Sequence, residues 1–326
     1  MSGLKQQLML RVENDLNDIE TALSQNLTPH VEMVRETAGH LIFSGGKRIR
    51  PLLNVLCARL CGYTDEFIKK FSTIIEFLHT ATLLHDDVVD EATIRRGKPV
   101  AHSIWGAPVT VLVGDFLLAR ALHIAAETEN PKIIKVIAEI TESMCQGEIL
   151  QLIKKGDPGL TEKEYMDVIR RKTGFLIQGA CQTGAILAGA SPEVEKKLAD
   201  FGYHIGIVFQ IADDLLDYTA DTKILGKTIG ADLREGKLTL PVIHTLENAG
   251  ADDRAWMKKI ITDKDFTQAE FEKLIQLMHD TGGISYCRTV AENHIRQAKE
   301  IIHSFPSSET TRTLLMIADY TLNRNA

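Results

Sequence analysis

Two short acidic clusters are the residues of this sequence best suited to chemistry. The first is Asp86, Asp87 and Asp90 in LLHDDVVD; the second is Asp213, Asp214 and Asp217 in FQIADDLLD. Both read DDxxD. On a helix, at about 100° per residue, the first and last aspartates of each cluster lie about 40° apart, one turn from each other. Carboxylate oxygens suit hard cations, and Mg²⁺ is commonly held by a few carboxylates together with phosphate oxygens. A solitary acidic triplet is more often a solvated helix face. Here Leu83, Leu84, Val88 and Val89 surround the first cluster, and Ile211, Leu215 and Leu216 the second. Adjacent carboxylates in apolar helices repel one another and resist desolvation unless cations neutralise them. Two such clusters therefore point to a metal-binding cavity.

Positive charge lies close to these clusters along the chain. Lys47, Arg48 and Arg50 stand in GGKRIRP, Arg95 and Arg96 come directly after the first cluster, and Lys172 lies in RRKTG. Lys227 and Lys237 follow the second cluster. Arginine grips phosphate oxygens bidentately, whereas lysine acts as a mobile point charge. Each basic element alone is a weak signal. Carboxylates holding Mg²⁺ beside such cations are the equipment expected for a diphosphate. Gly226-Lys227-Thr228 resembles the end of a P-loop, but Asp221 stands where that motif requires glycine, and no strand precedes it. His79 and His85 make no HExxH zinc pattern, although His79 falls about 20° from Asp86 around a helix.

The elements that must position these residues read as helices. Leu8, Val12, Leu16, Ile19 and Leu23 form one apolar stripe at three- and four-residue spacing. Helix starts are marked by Thr64-Asp65-Glu66, Asn130-Pro131, Thr161 with Glu164, Ser191-Pro192 and Thr267 with Glu270. Side-chain oxygens there accept from otherwise unpaired N–H groups. No convincing alternation of apolar and polar residues appears, and hairpin signals are few. Without a low-complexity linker or a repeat, the simplest account is one all-α domain over residues 1–326.

The net charge of −7 argues against a general nucleic-acid binder. No stretch approaches the roughly 18 uninterrupted apolar residues of a membrane span; the longest candidate, residues 107–119, is broken by Asp115. The N-terminus has no signal-peptide core. Five cysteines without framework spacing fit a reducing cytoplasm.

Five segments occur in an order that resembles the trans-isoprenyl diphosphate synthases, or polyprenyl synthetases: GGKRIRP, FLHTATLLHDDVVDEATIRRG, RRKTG, FQIADDLLD and GKTIGADLREGKLTLP. The similarity runs from about residue 45 to residue 241, and the ordered set is far more specific than one DDxxD. The resemblance implies an all-α isoprenoid-synthase fold with helices around a deep central cavity, usually as a homodimer. It implies that Asp86, Asp90 and Asp213 ligate Mg²⁺ bound to an allylic prenyl diphosphate. Asp87, Asp214 and Asp217 would complete the acidic rims. Arg95, Lys172 and Lys227 would bind the allylic diphosphate with Lys237 nearby, and Thr173 and Gln210 would lie near the reacting carbon or diphosphate. Lys47, Arg50, His79 and Arg96 would hold isopentenyl diphosphate.

The implied reaction ionises the allylic C–O bond, adds the isopentenyl double bond to the resulting cation and loses a proton. Water must be excluded from that cation. In the family, bulky aromatics four or five residues before the first DDxxD favour short products; here those positions are the small Thr82 and Ala81. The resemblance therefore points to a long-chain synthase, with octaprenyl diphosphate for quinone side chains as the single best expectation. On an ideal wheel Ala81 lies about 140° from Asp86, so Leu78 and Ile75 are further candidates for narrowing the tunnel. The small-residue run at 179–190 either widens the cavity or lets helices pack closely. Alternatives are a farnesyl or geranylgeranyl synthase, the catalytic subunit of a two-component synthase, and, outside the class, a terpene cyclase. A cyclase is not expected to combine a second DDxxD with GGKRIRP. Association with a membrane would be loose, through the lipid product.

Overall fold

The structure is a computed structural model that describes residues 2–219, 230–263 and 266–323. Lys227, with Gly226 and Thr228, lies outside the described residues. The chain is almost wholly helical: α1 Ser2–Asn26, α2 Glu32–Ile42, α3 Ile49–Leu60, α4 Phe67–Val89, α5 Ala101–Trp105, α6 Ala107–Ala126 and α7 Pro131–Ile153. Then come α8 Glu162–Ile169, a π turn Arg170–Gly174, α9 Phe175–Leu187 and α10 Pro192–Thr219. Ala231–Arg234 (α11), Leu240–Asn248 (α12), Ala251–Asp263 (α13), Gln268–Asp280 (α14), Gly283–His303 (α15) and Glu309–Leu322 (α16) complete it.

The stripe on α1 does what its spacing requires. Leu8, Val12, Ile19 and Leu23 are buried and Leu16 packs partly against them, within a core cluster that reaches from Leu8 to Tyr320. Each such side chain taken from water contributes about 1.5–3 kcal/mol. The caps also form as read. Asn130 accepts from the Lys132 N–H at 3.0 Å, and Thr161 with Glu164 and Thr267 with Glu270 make full capping boxes. Before α4 the capping oxygen is that of Asp65, which accepts from Phe67 N–H at 2.8 Å.

Two features depart from the sequence reading. A small hairpin, β1 Ile94–Arg95 paired with β2 Lys98–Pro99, follows the first acidic cluster. Its turn residues Arg96 and Gly97 both have positive φ, 52° and 75°, the two left-handed positions of a tight hairpin turn. Helix α6 is 20 residues long and, by length and composition alone, apolar enough to cross a membrane, with 39% of its apolar window buried. It carries Asp115, close to His85, and Arg120, whose Nε donates to the Asn26 carbonyl at 2.9 Å.

The run at 179–190 is a packing seam at Gly179 and Gly184. A Cβ on Gly184 would overlap the Asn54 carbonyl oxygen of α3 and approach Ala58 N to 3.1 Å, and one on Gly179 would overlap Ile140 of α7. Close helix contact, not a widened space, is what these two glycines provide.

Candidate active site

At the end of α4 the first cluster divides into two partly buried members and one fully buried. Asp86 lies 3.7 Å from Lys172 Nζ. Burial pushes its carboxyl up to about 6, with Glu148 and Asp90 adding to the rise and Lys172 opposing it. Asp90 accepts from Lys237 Nζ at 2.9 Å and has Lys155 at 3.8 Å. Burial alone would raise Asp90, but these lysines outweigh it and hold the carboxyl below its usual value. Asp87 points elsewhere: with only 2% of its side chain exposed, it accepts from Arg95 Nε at 2.7 Å.

The second cluster, on α10, repeats the division. Asp214 is buried, accepting from Tyr165 OH at 2.6 Å and from Gln210 Nε2 at 2.7 Å. Burial raises its carboxyl to about 7 against those hydrogen bonds. Asp217 accepts from the backbone N–H groups of Ala231 and Asp232 at 3.3 and 3.1 Å, which caps the short α11. Asp213 is half-buried on the same helix. Asp87 and Asp214, which the resemblance places in the acidic rims, both accept hydrogen bonds from protein side chains. Each is the inward-facing member of its cluster, committed to a protein partner.

The π turn stands between the clusters. Lys172 reaches Asp86, ion-pairs with Glu148 and donates to Gln151 Oε1 at 2.9 Å. The next residue, Thr173, donates to Gln210 Oε1 at 2.8 Å. One irregular turn thus ties both acidic clusters together. It fits because two neighbouring helices offer no side chain: a Cβ on Gly147 of α7 would lie 2.7 Å from Lys172 N, and one on Gly206 of α10 would lie 2.8 Å from Gly174 Cα. π turns inside helices frequently mark functional positions.

Arg48, Arg50, Arg95 and Arg96 gather around His79, about two turns before Asp86. Burial keeps His79 well below its usual value, and Arg50, Arg96, Arg95 and Arg48 push it the same way, so its imidazole is neutral. The Arg96 guanidinium bonds the Gly45 carbonyl and Ser44 Oγ. Arg50 lies over the Phe209 ring at 4.9 Å, beside the second cluster, and Lys47 Nζ lies 5.6 Å from the Tyr320 ring centroid.

Sequence reasoning missed Glu148 and Gln151, which hold Lys172. It missed Lys155 and Asp232 as well. Burial, with Asp214 and Asp217 nearby, raises the Asp232 carboxyl far above its usual range. The usable signal was spacing: Glu148 and Gln151 are three residues apart on one face of α7. Among the described residues, no three His, Cys, Asp or Glu groups converge tightly enough to enclose an ion by themselves.

An all-α chain whose two DDxxD clusters are tied by a shared lysine–threonine turn belongs to the isoprenoid-synthase fold class. The polyprenyl synthetase family model matches residues 31–278. Octaprenyl diphosphate synthase of Escherichia coli is 38% identical over 95% of this chain and 96% of its own. The all-trans-nonaprenyl-diphosphate synthase (geranyl-diphosphate specific) of Rhodobacter capsulatus is 37% identical, with 98% of each chain covered. A crystal structure of polyprenyl synthase from Caulobacter crescentus, complexed with calcium and isoprenyl diphosphate, superposes with a TM-score of 0.92 at 36% identity, covering 98% of each chain. The chain belongs to the polyprenyl synthetase family, and it is a prenyltransferase.

Proposed function

We propose that this chain condenses isopentenyl diphosphate repeatedly with an allylic diphosphate, such as farnesyl diphosphate, to make a long-chain all-trans polyprenyl diphosphate, with octaprenyl the preferred length, for quinone side chains. The observation that carries this reading is the link between the two acidic clusters through Lys172 and Thr173. A site that ionises one diphosphate while holding a second needs both rims in one register.

Asp86, Asp90, Asp213 and Asp217 present hard oxygen donors. Asp86 and Asp90 already draw the ammonium groups of Lys172 and Lys237, so the donor set fits Mg²⁺ completed by diphosphate oxygens. When bound, Mg²⁺ supplies the positive charge that stabilises the departing diphosphate. Arg95, oriented by Asp87, and Lys172, oriented by Gln151 and Glu148, grip the allylic diphosphate from the protein side, with Lys227 in the same role and Lys237 bracing Asp90. Lys47, Arg50, Arg96 and neutral His79 hold isopentenyl diphosphate. Thr173 and Gln210, bonded to each other, sit beside the reacting allylic end.

Product length rests on Ala81 and Thr82. Ala81 is buried, and Thr82 folds its hydroxyl back onto the His79 carbonyl, so neither sets a bulky floor below the cluster. The same reading takes the whole chain as one domain and the protein as a cytoplasmic homodimer. It is supported by the continuous core, by five free cysteines and by the exposed apolar residues of α6 and α7.

The test incubates the purified chain with Mg²⁺, isopentenyl diphosphate and farnesyl diphosphate and reads product masses. A ladder ending at one long prenyl diphosphate is the expected result, and Asp86→Ala should lower the rate by a factor on the order of 10²–10³. A ladder that stops after one or two additions overturns the long-chain reading. No condensation with any allylic starter overturns the reading of this chain as a synthase that acts by itself.

A further inference from the structure

Arg48 is the cation of GGKRIRP that turns away from the proposed diphosphate site. Its side chain is 2% exposed. Nε donates to Glu20 Oε1 of α1 at 2.6 Å, and Nη1 donates to Glu76 Oε1 of α4 at 2.5 Å. Nη2 donates to Glu20 Oε2 at 3.3 Å and to the Ile42 carbonyl, at the end of α2, at 2.5 Å. One guanidinium therefore joins three helices.

The backbone around it is shaped for this. Arg48 itself is left-handed, with φ 48° and ψ 28°, a conformation unfavourable for any residue with a Cβ. Gly45 and Gly46 precede it with φ of 100° and 158°, and a Cβ on Gly46 would stand 3.0 Å from Arg48 Nη1. A segment with two glycines does not hold one conformation by itself. Buried ion pairs add little net stability, because desolvation offsets their attraction; their better-attested use is to specify one arrangement. The arrangement specified here is that of the residues on either side. Lys47 and Arg50 flank Arg48 in sequence, Arg96 is tied to Gly45 and Ser44, and Glu76 lies one turn before His79 on α4.

We propose that the Glu20–Arg48–Glu76 clamp is a positioning device for the isopentenyl diphosphate subsite, through which the N-terminal helix α1 sets the loop carrying Lys47 and Arg50. The proposal rests on the reading of Lys47, Arg50, His79 and Arg96 as ligands of that substrate. Neither Glu20 nor Arg48 touches substrate in it. Glu20 fixes Arg48, and Arg48 fixes the loop.

Initial rates of condensation, with Mg²⁺ and each substrate varied in turn, test it on wild type, Glu20→Gln and Arg48→Lys. Glu20 is 44% exposed in its side chain, so glutamine there weakens the fork without burying an unpaired charge. Glu20→Gln should raise the KM for isopentenyl diphosphate about tenfold, the effect of losing one charge-assisted hydrogen bond. The KM for the allylic diphosphate and kcat should stay within about twofold. Arg48→Lys, which has no fork to offer Glu20 and Glu76 together, should give a larger change in the same constant. If Arg48→Lys does not fold, Glu20→Gln alone decides. An unchanged KM for isopentenyl diphosphate, or equal rises in both KM values, reduces the clamp to a structural ion pair and overturns the proposal. A wild-type chain with no condensation overturns the functional reading and the clamp's role together, which an active wild type with unaffected variants does not.

Discussion

Within each DDxxD cluster the second aspartate is turned into the protein, and its partners decide what it can do. Asp87 holds Arg95, and Asp214 is held by Tyr165 and Gln210. Leaving a buried acceptor without its donor costs more than the bond contributed when made. Tyr165→Phe should therefore destabilise the protein by about 1–3 kcal/mol in urea unfolding at neutral pH. The pH dependence has a defined sign. Asp214 is raised to about 7 when folded, so the stability its proton contributes is present below about 4 and lost as pH rises through about 7. The tyrosine favours the charged form, so its removal should cost more at pH 8 than at pH 5. Equal losses at both would show that Asp214 is ionised throughout. Spacing placed Asp86 and Asp90 on one face, and they do share it. Spacing could not say that Asp87 is clasped by Arg95, because that contact depends on a hairpin turn with arginine where asparagine is usual.

At the scale of elements, the helices were legible from an apolar period, as on α1, or from a cap, as on α7, α8 and α14. The π turn was not. RRKTG has no local signature for an extra residue per turn, and the room for it comes from Gly147 and Gly206 on other helices. Nor did the sequence disclose the seam of α10 with α15, where His204 Nδ1 and His294 Nδ1 lie 2.8 Å apart beside Tyr203. One imidazole donates and the other accepts, so the two are not protonated together. Burial, reinforced by His204, lowers His294 to about 4. A depressed histidine contributes stability that is complete above about 6.5 and lost as pH falls toward its folded value. The melting temperature should drop between pH 6.5 and 4.5, and His294→Asn should make that drop shallower. A parallel shift of the whole curve would instead assign the acid sensitivity to carboxylates.

At the scale of the molecule, α6 and α7 leave a row of apolar side chains outside the core: Val111, Leu112, Leu122, Ile134, Ile149 and Ile153. A second copy of the chain would cover them, and patches of this kind commonly mark protein interfaces. Leu112, 66% exposed, costs the monomer little when replaced. Leu112→Asp should convert a dimer to monomer in sedimentation equilibrium while leaving helix content intact, whereas a monomeric wild type would remove the homodimer reading. The π turn has a consequence of its own for the molecule as a whole. It adds a residue to an otherwise continuous rod from Glu162 to Leu187. Deleting one residue from the π turn itself would restore the regular α-helical pattern and leave the turns on either side in phase. Gly184 would then keep its place on the backbone of α3, against which it is fitted without clearance. The turn that carries Lys172 is thus a one-residue addition that the core does not need, so its loss would disable the site and leave the fold standing.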